Sequence, residues 1–134
     1  MSLTGDRAPF GYRAFTFTCL REALMDFNLP HDLVAYLAEL DAFIEREISP
    51  LEAADDNVRF FDHRREWART DFDGGGLPRH EWEQLLRAAR RRADAAGHWR
   101  FSLPRAYGGR DGSHLWMAVI REHLAARGLG LHND

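Results

Sequence analysis

Apolar residues recur at three- and four-residue spacing between Pro30 and Pro50, and this stripe constrains the fold of the chain most strongly. Such spacing places the side chains on one face of an amphipathic α-helix about four turns long. Pro30 suits the first turn, and Asp32 lies near the positive end of the helix dipole. Pro50 disfavours helical geometry at Ser49, so the helix is predicted to end there. The stripe consists of Leu33, Val34, Leu37, Leu40, Ile44 and Ile48, with Phe43 beside it.

Two further helices of similar length are predicted in the second half of the chain. The first opens at Leu77-Pro78 and runs to about Ala96, where Gly97 suits the left-handed position after a helix. Its predicted buried face consists of Trp82, Leu85, Leu86, Ala89 and Ala93. The second begins after the capping residue Ser113, runs to about Arg127 and is closed by Gly128. Its predicted buried face consists of Leu115, Trp116, Val119, Ile120 and Leu124.

Shorter elements are predicted between these helices. A short helix from about His63 to Arg69 is capped by Asp62, with Trp67 facing inward. Its outward side chains are Arg64, Arg65 and Arg69. Three consecutive glycines, Gly74–Gly76, predict a loop because they lose too much entropy inside a regular element. Alternation of apolar and polar residues predicts an extended stretch stopped by Pro104, with its apolar positions at Trp99, Phe101 and Leu103.

These patterns predict an all-α domain, an array of three main helices plus a short one. Residues 1–24 are predicted to be an N-terminal extension. This extension is either disordered or lies before the true start of the protein at Met25. Phe10 to Phe17 show a partial alternation that favours a short strand, and the arginines of this segment leave a transit peptide as an alternative.

Composition excludes several classes of function. The net charge of −3 offers no general attraction to nucleic acid or anionic lipid. All 18 basic residues are arginine, so a Schiff-base or P-loop lysine is excluded. The single Cys19 cannot form an internal disulfide or anchor a zinc cluster. No apolar run approaches the roughly 18 residues of a membrane helix, so the chain is predicted to be soluble and intracellular.

The candidate catalytic and binding groups form no recognisable site. The seven histidines are dispersed without a helical i,i+4 pair, so no metal site is predicted. Glu122 with His123, and Glu45 with Glu47, are expected to point to different helix faces, which disfavours acid–base catalysis. Tyr107-Gly108-Gly109 lacks the spacing of a dinucleotide fingerprint and is interpreted as a turn.

A cluster of arginines on the second main helix is the remaining argument for nucleic-acid binding. Its members, Arg87, Arg90, Arg91 and Arg92, spread over more than one turn. Pairing of Glu83 with Arg87 and of Arg90 with Asp94 would instead give a solvated surface. We therefore predict no nucleic-acid partner. The four Trp and nine Phe exceed what three helices can cover, which indicates a surface for another domain or subunit.

The segment from Gly97 to Gly109 reads Gly-His-Trp-Arg-Phe-Ser-Leu-Pro-Arg-Ala-Tyr-Gly-Gly. It resembles the segment of acyl-CoA dehydrogenases that runs glycine, leucine, tryptophan and then a Leu-Pro-x-x-Tyr-Gly-Gly turn. The helix that follows, from Leu115 to Arg127, with Gly128 to Asp134 after it, resembles the helix preceding the acyl pocket in that family.

The first half of the chain shows the same resemblance. Residues 25–29 and 48–52 are similar to the opening helix of the family and to its end. In all, the resemblance covers about residues 25–134. It implies the helical N-terminal domain, which in the family precedes a middle β-barrel domain and a C-terminal four-helix domain.

The resemblance also implies a function. Family members use FAD to oxidise the α,β bond of an acyl-CoA thioester, with a glutamate of the C-terminal region as base, and pass electrons to an electron-transferring flavoprotein. Those contacts lie beyond Asp134, so no catalytic, cofactor-binding or metal-binding residue is assigned, and no FAD is expected on this chain alone. The expected compartment is the bacterial cytoplasm or, in a eukaryote, the mitochondrial matrix.

Two alternatives remain open from the sequence. One is a stand-alone helical interaction module derived from this domain. The other is an unrelated DNA-binding domain, an interpretation that depends only on the arginine cluster. Apolar helix faces left exposed in the 134-residue chain predict self-association.

Overall fold

The computed structural model describes residues 28–134, and helices dominate this part of the chain, which confirms the all-α prediction. The predictions for residues 1–27, including the extension, the short strand, the transit peptide and Cys19, lie outside the described residues. The α-helices are α1 (His31–Phe43), α2 (Ser49–Ala53), α3 (Arg65–Arg69), α4 (His80–Ala95) and α5 (His114–Ala126). Short 3-10 turns lie at Asn57–Phe60, Arg105–Tyr107 and Leu131–Asn133.

The first helix does not end at Pro50, contrary to the prediction. A π-helical segment, Ile44–Ile48, follows α1 directly, and α2 continues through Pro50 to Ala53. The Ser49 N–H donates to the Ile44 carbonyl five residues back, and Ser49 keeps helical angles of φ −57° and ψ −39°. Proline is tolerated here because the wide π turn already departs from the i→i−4 ladder that a proline ring obstructs.

Residues Leu77 and Pro78 form a strand and not the start of a helix. They pair antiparallel with Thr70–Asp71, so β1 (Thr70–Asp71) and β2 (Leu77–Pro78) form a short hairpin. The predicted glycine loop closes this hairpin, with Gly75 at φ 93° and Gly76 at φ 77°. α4 begins only at His80, because the preceding residues are held in the ladder.

Two side chains of the short helix α3 lie opposite to their predicted positions, while Arg64 and Arg65 are exposed as predicted. Trp67 is 69% exposed, and its ring contacts that of Phe72, with centroids 4.8 Å apart. Arg69 points inward, and its guanidinium carbon lies 4.1 Å from the centroid of the Trp82 ring. Its Nε donates to the Phe60 carbonyl at 2.8 Å. A planar guanidinium can cover an aromatic face and still satisfy its donors, so the arginine lies inside while the indole lies outside.

The stretch after α4 folds into turns and is not extended. The Phe101 amide donates to the His98 carbonyl at 3.3 Å, and the Leu103 amide to the Arg100 carbonyl at 3.0 Å. Only Phe101 of the three predicted apolar positions is buried, while Trp99 is 51% exposed and Leu103 is 42% exposed. Successive turns send neighbouring side chains in different directions, so the strand-like alternation did not place them on one face.

Both main helices of the second half have the predicted C-terminal ends, and α5 also has the predicted N-cap. Gly97 follows the end of α4 at φ 79°, and Gly128 follows α5 at φ 90°. The Ser113 hydroxyl accepts the Trp116 amide at 3.2 Å, which is the predicted cap. On α5, however, Leu115 is 70% exposed. It lies about 100° around the helix from Trp116, outside the surface that the other helices cover.

One hydrophobic core joins α1, the π segment, α4 and α5. Leu33 and Phe60 are its most completely buried side chains. The predicted face of α4 is confirmed, since Trp82, Leu85 and Ala89 are buried and Leu86 and Ala93 pack against them. Of the face predicted on α5, Ile120 is buried and Trp116, Val119 and Leu124 are partly buried. Helix faces thus follow the apolar periodicity, apart from Val34 and Leu115, which are exposed.

Candidate functional site

Four polar side chains meet at the junction of α1 with the loop after α4. α1 contributes Tyr36 and Glu39, which lie one turn apart and so share a helix face. The loop contributes His98, just after Gly97, and Arg110, just after the Tyr-Gly-Gly turn. The Tyr36 hydroxyl and His98 Nδ1 are 3.0 Å apart, and Arg110 Nη2 lies 3.1 Å from Glu39 Oε1. We call these four residues the Tyr36–His98 cluster.

Burial keeps the tyrosine and the histidine of this cluster neutral. It raises the pKa of Tyr36 to about 12, against a smaller opposing effect of the Arg110 charge. It also lowers the pKa of His98, and here the Glu39 carboxylate opposes the effect while Arg110 and Arg46 reinforce it. Because the phenol stays protonated, it can donate to Nδ1, which leaves the imidazole proton on Nε2. The pair therefore ties α1 to the loop without a buried charge.

Glu39 has the opposite character. The hydrogen bond from Arg110 holds the pKa of this carboxyl below its ordinary value, so it stays ionised. Arg110 also donates to the Ala96 carbonyl at 3.2 Å and lies over the Tyr36 ring, 5.4 Å from its centroid. A carboxylate held in this way is a weak proton acceptor, so the cluster is better suited to positioning the loop than to acid–base chemistry.

An open cleft of about 790 Å³ lies beside the cluster. Glu39 and Arg110 line one side, and Phe101 and Trp116, whose rings stack with centroids 6.2 Å apart, line another. The Tyr-Gly-Gly turn reaches its edge through Gly109.

The glycines of that turn are required by its geometry. Gly108 lies at φ 79°, in the left-handed region that favours glycine. Gly109 has no room for a side chain, because a Cβ there would lie 1.9 Å from the Leu103 carbonyl oxygen and 2.6 Å from that of Arg100. Tyr107 itself is 72% exposed. The interpretation of this segment as a turn is thus confirmed, and the turn is tightly folded on its own backbone.

The candidate acid–base residues Glu45 and Glu47 have different partners in the structure, as their predicted divergence requires. Glu45 pairs with Arg127 on α5, whereas Glu47 pairs with Arg92 on α4 at 3.3 Å. His123 lies 2.8 Å from Asp41 through Nε2, and Arg127 reaches the same carboxylate at 2.9 Å. Sequence analysis missed this network between α1 and α5. The sequence does contain a signal for this network. Asp41 and Glu45 form an acidic i,i+4 pair, and His123 and Arg127 form a basic i,i+4 pair that could face it.

The four arginines of α4 occupy separate environments. Arg87 forms the predicted pair with Glu83 at 2.9 Å. Arg90 does not pair with Asp94. The Asp94 carboxylate instead accepts a hydrogen bond from Arg100 Nη2 at 2.9 Å. The Arg90 guanidinium lies over the Trp99 ring, 5.2 Å from its centroid. Arg100 pairs with Asp94 in place of Arg90 because the turn after α4 brings the planar Arg100 guanidinium to both carboxylate oxygens.

Between residues 28 and 134, no group of three His, Cys, Asp or Glu side chains converges with the geometry of a metal site. Within the same range, no helix has the length and apolar character needed to cross a membrane. Comparison of the chain with protein-family models, with curated proteins and with solved structures found no match.

The polar cluster leads to a prediction about pH. Because the pKa of folded His98 is below its ordinary value of 6.5, the unfolded chain takes up a proton first as the pH falls. The stabilising contribution of neutral His98 is therefore complete above about pH 6.5 and is lost as the pH drops towards the folded-state pKa. We expect the melting temperature to fall between pH 7 and pH 5, and His98→Gln to remove part of that fall.

Melting curves over this pH range check the prediction. His63→Gln provides the matched control, because that histidine is exposed to solvent. A pH dependence that is the same in wild type and His98→Gln would show that His98 is not the titrating group.

Proposed function

We propose that this chain is the N-terminal helical domain of an acyl-CoA dehydrogenase. In such an enzyme the domain forms part of the scaffold around an acyl-CoA thioester, whose α,β bond is oxidised by FAD. The flavin contacts and the catalytic base belong to the middle and C-terminal domains of the family, so the four residues of the Tyr36–His98 cluster are given no part in the chemistry.

The observation that carries the proposal is the Leu-Pro-x-x-Tyr-Gly-Gly turn, Leu103 to Gly109. Its sequence resembles the family motif, and its two glycines are demanded by a left-handed φ of 79° at Gly108 and by the close Leu103 carbonyl at Gly109. The turn also lies between two helices, α4 and α5, in the order that the resemblance implies. These features support the proposal because a motif whose residues are sterically necessary is more specific than a chance match of letters.

The partners and the compartment follow from the same resemblance and are proposals of the same standing. Acyl-CoA would be the substrate, and an electron-transferring flavoprotein would accept the electrons. The enzyme would work in the cytoplasm of a bacterium or in a mitochondrial matrix.

A stand-alone helical interaction module is the second candidate, and one observation favours it. Trp67, Phe72 and Leu77 are all at least half exposed around the hairpin of β1 and β2. Large apolar side chains left in water commonly mark contact surfaces. The same exposure is expected if other domains of one enzyme cover them, and the flavin content of the longer product described below separates the two candidates.

The proposal predicts that the 134-residue chain is colourless when purified. A flavin needs a complete binding site, and catalysis needs base, flavin and substrate held in alignment, which this helical domain does not supply by itself. We expect no flavin absorbance and no reduction of an artificial acceptor with any acyl-CoA.

A longer product provides the positive arm of this test. The reading frame beyond the codon for Asp134 should encode a β-rich domain and then a helical domain. That product should be yellow, hold about one FAD per chain and reduce the acceptor with acyl-CoA. Stoichiometric FAD on the 134-residue chain, or a longer product that binds no flavin, would contradict the proposal. Size-exclusion chromatography of the 134-residue chain should show self-association.

A further inference from the structure

A second cavity, of about 280 Å³, lies between α1, α4 and α5, and we call it the interhelical cavity. Most of its surface is apolar. Aliphatic side chains from all three helices form its walls, including Leu40, Ala93, Met117 and Ile120. Aromatic rings add to these walls, including Phe43, Phe101 and Trp99. Its volume is near the lower limit of about 300 Å³ for small-molecule sites, so it suits a ligand of one ring or a short chain.

Two arginines line the same cavity from different helices. Arg90 belongs to α4 and Arg121 to α5, and neither forms an ion pair with any described residue. Asp134 is the acidic side chain on this lining, and its carboxylate is engaged by Arg69 at 3.3 Å. Two positive charges that lack an ion-pair partner among residues 28–134 thus border one apolar cavity, and both are free to bind an anion.

We propose that the interhelical cavity binds a small carboxylate whose apolar body is a single aromatic ring. The ring would pack among Phe43, Trp99 and Phe101, where edge and offset contacts between aromatic groups are favourable. The carboxylate would face Arg90 and Arg121, because guanidinium groups bind carboxylates with paired hydrogen bonds. This site requires neither flavin nor CoA, so it stands or falls separately from the function proposed above.

Titration of 4-phenylbutyrate into the full 134-residue chain tests the proposal by calorimetry. We expect saturable binding at one site per chain. Two controls separate the contributions of the ligand, since 4-phenylbutanol keeps the ring without the charge and acetate keeps the charge without the ring. The alcohol should bind about tenfold more weakly or worse, which is the loss of one charge-assisted contact, and acetate should show no measurable binding.

Variants of the chain test which side chains are responsible. The double variant Arg90→Gln with Arg121→Gln should weaken 4-phenylbutyrate binding about tenfold or more. Arg91→Gln is the matched control, because Arg91 is an exposed arginine of α4 that does not line the cavity, and binding should be unchanged. Ala93→Leu should abolish binding by filling the cavity.

Binding of 4-phenylbutyrate to the wild type and to the arginine variants decides whether the proposal holds. Loss of binding in the arginine double variant, with Arg91→Gln unaffected, supports it. Absence of saturable binding to the wild type, or equal binding to wild type and the double variant, would overturn it. The arginine variants do not touch the core, so they decide the question even if Ala93→Leu fails to fold. Colour and dye reduction test the enzyme assignment, whereas calorimetry tests this site, so the two proposals can fail independently.

Discussion

Trp82→Ala is expected to lower the free energy of unfolding by about 3–5 kcal/mol, the usual cost of emptying a large aromatic core position. Trp82 is only 7% exposed. Its ring lies 5.2 Å from Phe60 and 5.8 Å from Phe61, measured between centroids, and Arg69 covers it at 4.1 Å. The substitution removes all three contacts at once. Domains of this size have a total stability of roughly 5–15 kcal/mol, so much of that stability depends on this residue.

Urea or guanidinium unfolding, followed by circular dichroism, measures the effect. Trp67→Ala is the matched control, because Trp67 is 69% exposed and makes its ring contact only with the exposed Phe72. Its cost should remain below about 1 kcal/mol, as for most surface substitutions. Trp116→Ala should fall between the two, since that indole is half-buried against Phe101. Equal losses for Trp82 and Trp67 would mean that α3 does not have the orientation described.

Gly109→Ala is the second change with a large expected effect, roughly 2–3 kcal/mol of stability, as for other side chains forced into a filled site. The added Cβ would lie 1.9 Å from the Leu103 carbonyl oxygen. That atom belongs to the backbone and cannot rotate aside, so the turn must open. Arg110 is the next residue along the chain. Opening of the turn would therefore disturb the Arg110 contacts with Glu39 and with the Ala96 carbonyl.

Gly75→Ala separates this clash from the general cost of losing a glycine. Gly75 has a positive φ of 93°, but nothing lies within 4 Å of a Cβ built there. Its cost should therefore be that of a strained backbone alone, about 1–2 kcal/mol. Chemical denaturation of both variants measures the difference. A smaller loss for Gly109→Ala than for Gly75→Ala would show that the turn yields easily, and it would weaken the case for the motif that carries the proposed function.

Sequence reasoning was most successful where a feature depends on residues within one or two helical turns. The Ser113 cap and the left-handed Gly97 and Gly128 all lie where they were predicted. Each of these depends on the backbone conformation and hydrogen bonds of its immediate neighbours, which the local sequence contains. The apolar face of α4 was predictable for the same reason, since periodicity along one helix sets which side chains share a face.

The candidate site lay largely beyond such reasoning. Tyr36 and His98 are 62 positions apart, and Glu39 and Arg110 are 71 positions apart. No local pattern pairs residues at these separations, because their contact depends on how the loop after α4 returns to α1. The same holds for the arginine pair of the interhelical cavity, because only the folded chain brings residues of α4 and α5 to the lining of one cavity.

By itself, the sequence determined the helical class, the three main helices and most of their ends, because these follow from apolar period and capping chemistry along the chain. Only the tertiary structure decided which side chains of the predicted faces are covered. Trp67 and Leu115 were predicted to be inside and lie outside, whereas Arg69 was predicted to be outside and lies on Trp82. It also decided that the chain continues as a helix through Pro50. The physical reason is the same in each case. Burial of a side chain depends on what packs against it, and continuation of a helix depends on how the surrounding backbone relaxes. Neither burial nor helix continuation is therefore a property of one residue alone.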